Sequence, residues 1–258
     1  MASAYPLKFQ ERLNYRDADL APNVDSAWLA QSNLPAMFSQ HATSVAGVMV
    51  AARNGEGAVG VAYDATLAGF SIPGSGVDLP SLVAEVRQAT ERFQDYDVVN
   101  NSWGFVAGYV ASPNPPGTIP FEVLDAISYG RNGLGTSIVF AGGNDRAAGD
   151  NTNHSRYTNS YATITVAAIN APGDLGALIL GEKPFSNPGA SILVSAPGSN
   201  VSSTGQQAIN QNGSTFGADL TSVQGSSFAT PIVSGVIALM LEANPNLGYR
   251  DIQEIRLC

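Results

Sequence analysis

Three short segments of the 258-residue chain carry side chains whose types and settings could do chemistry. The first is Gly225-Ser-Ser-Phe-Ala-Thr-Pro231, ahead of an apolar run that continues to Ala243. A serine at the start of a helix sits by the positive end of the helix dipole, which favours a negatively charged oxygen. Small neighbours there leave room for a carbonyl group. The same serine-rich pattern also makes an ordinary N-cap. The second segment is His41-Ala-Thr-Ser-Val-Ala-Gly47. Its imidazole suits a general base near neutral pH, and it suits a purely structural role equally. The third is Val139-Phe-Ala-Gly-Gly-Asn144, an apolar run ending in an amide. Asparagine can donate hydrogen bonds to an oxyanion without bringing charge. It is also a common turn residue.

Those side chains need a scaffold, and the hydrophobic pattern supplies one. Short apolar runs at 66–72, 98–103, 137–142, 162–169 and 192–196 predict buried strands. Helical spacing links Leu82, Val83, Val86, Thr90 and Phe93 after Pro80. It recurs at Phe121, Leu124, Ile127 and Ser128, before Gly133 and Gly135, and at Ile232, Val236 and Leu239, before Asn244-Pro245. The polar stretch 144–161 reads as a loop. Strands alternating with helices of this length predict one α/β domain whose mostly parallel sheet is covered on both faces. Asn144 then lies at the C-terminal end of a strand, where such sheets form their clefts.

Composition narrows the function classes. With 12 Lys and Arg against 21 Asp and Glu, the net charge is −9. Nucleic acid and anionic membrane, which call for basic patches, are therefore not expected partners. No unbroken apolar run approaches the ~18 residues of a membrane span, and the N-terminus shows no apolar core of a signal peptide. The single cysteine, Cys258, excludes an internal disulfide, and two histidines, His41 and His154, argue against a histidine-rich zinc site. Gly55-Glu-Gly-Ala-Val-Gly60 matches a dinucleotide fingerprint in letters only, because a helix precedes it and a strand-like run follows. There is no G-x-S-x-G elbow.

Taken in order, these segments resemble the subtilisin family of serine peptidases, closest to the kexin/furin branch and its bacterial relatives. Gly225-Ser-Ser227-Phe-Ala-Thr-Pro matches the family's nucleophile motif. His41-Ala-Thr-Ser-Val-Ala-Gly matches its histidine motif, and Ala-Gly-Gly-Asn144 its oxyanion segment. Asn101-Ser-Trp-Gly104 matches the strand that lines its substrate groove. Gly130-Arg-Asn-Gly-Leu-Gly135, Tyr157-Thr-Asn-Ser160 and Leu241-Glu-Ala-Asn-Pro-Asn-Leu247 carry the kexin likeness. The resemblance runs from about residue 14 to 256. It implies a three-layer α/β fold and a serine endopeptidase acting on polypeptides as a monomer, extracellular or periplasmic. Ser227 is then the nucleophile, His41 the base and Asn144 the oxyanion donor, with Ser102, Trp103 and Gly104 pairing with substrate backbone. The chain reads as one such domain over 1–258, incomplete at both ends.

The resemblance breaks at the triad aspartate. The family places it at the end of a buried strand, in Asp-x-Gly, nine residues ahead of an Asp-Leu pair. Nine residues ahead of Asp19-Leu20 stands Gln10, with Arg12 at the glycine position. The preceding Tyr5-Pro-Leu-Lys-Phe9 holds Pro6 and Lys8, which suit a buried strand poorly. Glu11, Asp17 and Asp19 are the nearby carboxylates, Glu11 one position out of register. The alternative is therefore an inactive protein of the same fold that at most binds peptides. Ala42 stands where glycine usually follows the histidine. Acidic residues of a dibasic specificity pocket are also thin, Asp150 being present and Ser155 occupying the later position. A calcium site is expected from Asp19, Asn54 and the backbone carbonyls of Ala52, Glu56 and Ala58. Calcium takes about six to eight oxygens. An ion-free Asn-Gly turn is the alternative.

Overall fold

The computed structural model describes residues 13–31, 38–70, 87, 90–104, 119–176, 183–205, 208–209, 215–216 and 219–255. Two helices come first, α1 (Ser26–Gln31) and α2 (Gln40–Val50). Strand β1 (Val98–Asn101) is followed by α3 (Phe121–Tyr129) and then β2 (Ser137–Ala141). Next come β3 (Ile164–Ile169) and β4 (Ile192–Pro197). β5 (Val201–Thr204), β6 (Ala208–Ile209), β7 (Thr215–Phe216) and β8 (Leu220–Val223) follow. The chain closes with α4 (Ser226–Ala243) and α5 (Tyr249–Glu254).

β1 to β4 form a parallel sheet in chain order, with Val99 opposite Ile138, Phe140 opposite Thr165 and Val166 opposite Val194. Every residue of β2 is buried, as expected of a strand covered on both faces. Alternation divides its side chains. Val139 joins Ile164, Val166 and Ala168 in packing beneath α4, against Ala229, Val233, Ile237 and Leu241. Ile138 and Phe140 face the other way, onto Val123, Ala126 and Ile127 of α3. Helix, sheet and helix thus make three layers. α2 lies beside α4, joined through Val45, Val48 and Phe228.

The predicted strands at 98–103, 137–142, 162–169 and 192–196 are present. Within the run 66–72, the described part makes a single parallel bridge, Val24 to Leu67. The predicted helix at 82–93 lies mostly outside the described residues. Two helices turn a different stripe inward from the one their spacing suggested. In α3 the buried residues are Val123, Ala126 and Ile127, while Phe121 is 78% exposed. In α4 they include Val233, Ile237 and Leu241, and Leu239 is exposed. Each helix is apolar around much of its circumference, so period alone did not fix its phase. α4 has the length and composition to cross a bilayer, yet 61% of it is buried inside the protein. Four of its polar residues, Ser226, Ser227, Thr230 and Ser234, lie on buried turns of the same helix.

Candidate active site

The N-terminus of α4 brings the predicted residues together. Gly225, the residue before the helix, has φ +135, a conformation that L side chains rarely adopt. This turn sets Ser226 and Ser227 in the first helical turn, where N–H groups lack intrahelical partners. One of them is taken by the third segment: Ser226 N–H donates to Asn144 Oδ1 at 2.8 Å. In return, Gly143 N–H donates to Ser226 Oγ at 3.0 Å. The β2 end and the α4 start are therefore tied by two crossed bonds. Asn144 spends its oxygen on this tie, and its Nδ2 lies beside the Gly225 Cα.

Asn187 holds the Asn144 loop from behind. It is 2% exposed. Its N–H donates to Gly143 O at 3.0 Å. Its Oδ1 accepts from Asp145 N–H at 2.8 Å, and its Nδ2 donates to Asp150 Oδ2 at 2.8 Å. Gly143, at φ +96, rests so closely on that amide that a Cβ would overlap it. The other Asp150 oxygen accepts from Asn151 N–H at 2.8 Å and faces His154 Nδ1 at 3.3 Å. The Asp150 carboxylate is thus engaged within the protein on both oxygens.

Ser227 is 6% exposed, and its Oγ donates to Ser102 O at 3.3 Å. His41 occupies the first turn of α2, whose N-cap Ser39 accepts from Ala42 N–H. The imidazole meets the Phe228 ring edge-on, with centroids 5.2 Å apart. Phe228 follows Ser227 directly, so histidine and serine come from facing helix ends. Ser102, Trp103 and Gly104 continue from β1. Trp103 is fixed by its Nε1–H bond to Asn101 Oδ1 at 3.0 Å and by edge contacts with Phe140 and Tyr157. Tyr157 donates to Glu122 Oε1 at 2.6 Å, and burial, reinforced by that carboxylate, raises its phenol well above the ordinary range. Gly104 has open space where a side chain would stand, leaving the backbone accessible from that side.

Gln10, Glu11 and Arg12 lie outside the described residues. Asp19 is placed away from His41. Its Oδ2 accepts from Ala58 N–H and from Thr204 Oγ1, each at 2.9 Å, and it is 1% exposed. Thr204 packs against Gly47, six residues or about 9 Å of helical rise beyond His41. Asp17 turns its Oδ1 to the Asp19 N–H at 3.1 Å. The expected calcium residues do meet: Ala52 N–H donates to Asp19 O at 2.7 Å, and Asn54 Nδ2 donates to Ala18 O at 3.1 Å. Asn54 Oδ1 accepts from Glu56 N–H at 3.1 Å. Among the described residues no cluster of three His, Cys, Asp or Glu side chains could hold a metal, so any cation here relies on backbone oxygens.

Asn100 and Asn187 went unnoticed in the sequence, and Ser226 and Pro231 figured there only as parts of the motif at 225–231. Ser226 was legible as the neighbour of Ser227, and Pro231 as a proline inside a helix. Asn187 carried no local signal, because its partners lie 37 and 42 positions away.

The Subtilase family model matches residues 8–257. Protease KEX1 of Kluyveromyces lactis is 29% identical, over 95% of this chain and 31% of its own length. The dibasic-processing endoprotease of Schizosaccharomyces pombe is 34% identical, over 84% of this chain and 28% of its own. The chain thus spans about a third of the length of these relatives. In solved structures, the Aeromonas sobria serine protease superposes with a TM-score of 0.75 at 21% identity, over 95% of this chain and 48% of that one. Fervidolysin from Fervidobacterium pennivorans gives 0.66 at 25% identity, over 94% and 36%. With a family match across nearly all its length and a fold shared with solved members, the chain belongs to the subtilase family.

Proposed function

We propose that this chain is the catalytic domain of a serine endopeptidase acting on polypeptides. The observation that carries the reading is the pair of crossed bonds between Asn144, Gly143 and Ser226, which sets an amide beside the first turn of the helix that bears Ser227. Ser227 Oγ attacks the scissile carbonyl, and His41 takes its proton and returns it to the leaving amine. The tetrahedral oxyanion lies between the Asn144 Nδ2 and the Ser227 N–H, at the positive end of an 18-residue helix. The backbone of Ser102, Trp103 and Gly104 pairs with an extended substrate, a mode that accepts many sequences. A calcium ion held by Asp19, Asn54 and the carbonyls of Ala52, Glu56 and Ala58 would serve stability, tying the start of the chain to the loop after α2. An extracellular or periplasmic location belongs to the same proposal.

A second reading, a peptide-binding protein without turnover, is favoured by one observation. Asp19 gives its Oδ2 to Ala58 N–H and Thr204 Oγ1, so it does not orient His41. Incubation with a serine-directed fluorophosphonate, followed by intact mass, separates the two. One adduct on the parent chain and none on Ser227→Ala supports the peptidase reading. A folded parent that stays unlabelled supports the second.

A further inference from the structure

A buried chain of hydrogen bonds runs from the core to the serine's own carbonyl, and proton bookkeeping gives it one direction. Pro231 lies four residues after Ser227 inside α4. Proline has no N–H, so the Ser227 carbonyl cannot receive the ordinary helical bond. Ser102 Oγ meets that carbonyl at 2.8 Å instead. A carbonyl only accepts, so the Ser102 hydroxyl must donate to it. Ser102 Oγ must then accept from Asn100, whose Nδ2 lies 2.9 Å away. That places Asn100 Oδ1 against Ser234 Oγ at 3.0 Å; the Ser234 hydroxyl, which also lies 3.2 Å from the Thr230 carbonyl, then turns its one proton to Asn100. Reversing the Asn100 amide would draw the Ser102 proton away from Ser227. Ser102 and Ser234 are 3% and 1% exposed, so water does not replace these partners readily. The main-chain oxygen of Ser102 in turn accepts from Ser227 Oγ at 3.3 Å. Ser102 therefore grips the serine residue at both its carbonyl and its hydroxyl.

We propose that Asn100 and Ser102 are positioning residues for the nucleophile, holding the first turn of α4 through the carbonyl that Pro231 leaves open. The inference rests on Ser227 acting as the nucleophile. It assigns the Ser102 side chain a task separate from the substrate pairing expected of its backbone. Ser102 reaches the reacting atom only through Ser227, so it acts by holding the serine at its angle of attack.

The experiment is a double-mutant cycle on Ser102 and Pro231, read as the rate of Ser227 modification by a small fluorophosphonate. Such a reagent does not extend along the substrate groove. Ser102→Ala should slow modification about tenfold, equivalent to about 1.4 kcal/mol in the barrier. Pro231→Ala restores a backbone N–H opposite the Ser227 carbonyl. In that background Ser102→Ala should cost no more than about threefold, a departure from additivity that a merely space-filling Ser102 would not produce. Equal costs of Ser102→Ala in both backgrounds, or none in either, would overturn the inference while leaving the nucleophile reading intact. An unlabelled parent would overturn both. If Ser102→Ala does not fold, Asn100→Asp carries the same test. Its ionised carboxylate only accepts, pulls the Ser102 proton from the carbonyl and should slow modification by at least as much, and an unchanged rate would again count against the inference.

Discussion

Replacing Asn187 by alanine tests whether the Asn144 loop is held from behind. Two side-chain bonds are lost. The one from Asp145 N–H is a neutral bond, worth about 1 kcal/mol. The one to the Asp150 carboxylate is charge-assisted, worth about 1.5–3 kcal/mol. The backbone bond to Gly143 O survives the substitution. Together the losses come to about 3 kcal/mol, a large share of the stability of a typical domain. Urea unfolding of parent and variant measures it directly. Fluorophosphonate labelling, in conditions where the variant is fully folded, should slow as well, because the loop that loses its support carries Asn144. Asn187→Asp gives the argument a sign. It keeps the acceptor for Asp145 but sets a second carboxylate against Asp150. The carboxyl pair is then harder to ionise in the folded state, so its folded pKa is raised. A raised pKa favours the folded state at low pH and loses that contribution as pH rises. The deficit of Asn187→Asp should therefore shrink between pH 7 and about pH 4. A loss below about 1 kcal/mol for Asn187→Ala, with unchanged labelling, would show that the Asn144 loop stands without Asn187.

Two further outcomes are expected. Calcium should raise the midpoint of thermal unfolding and a chelator should lower it, with Asp19→Asn abolishing the difference. A midpoint indifferent to both would remove the ion from the Ala52–Ala58 loop. Peptide substrates cleaved after Leu or Phe should be turned over as fast as those cleaved after Arg, because the Asp150 carboxylate is already occupied by Asn187, Asn151 and His154. A preference for Arg of about tenfold or more, equivalent to about 1.4 kcal/mol, would mean that acidity reaches the pocket from elsewhere.

The strands of the sheet were legible because β2 and β3 are buried on both faces and so read as continuous apolar runs. Helix existence was legible too, though not helix phase. Val123 rather than Leu124 turns inward in α3 because the sheet offers Ile138 and Phe140 there, a tertiary fact that no local pattern contains. In the candidate site, His41, Asn144 and Ser227 stood out because each sits in a short contiguous motif. Asn187 and Asn100 did not. Each works through partners supplied by distant segments, and an asparagine in a polar loop or a strand looks the same whether it is clamped or solvated. Asp19 illustrates the reverse. The calcium expectation joined it to the loop at 52–58, and the two do meet, while its bond to Thr204, 185 positions away, was invisible.

The site's ties join residues far apart along the chain, with Ser226 bound to Asn144 across 82 positions and Ser102 to Ser227 across 125. Contacts of such separation form late, because loop closure must be completed before they return anything. On the peptidase reading, reactivity of Ser227 is therefore a clock for the folding of the whole domain. During refolding, helical signal should recover first, and susceptibility to a serine-directed reagent should arrive only with the last cooperative step.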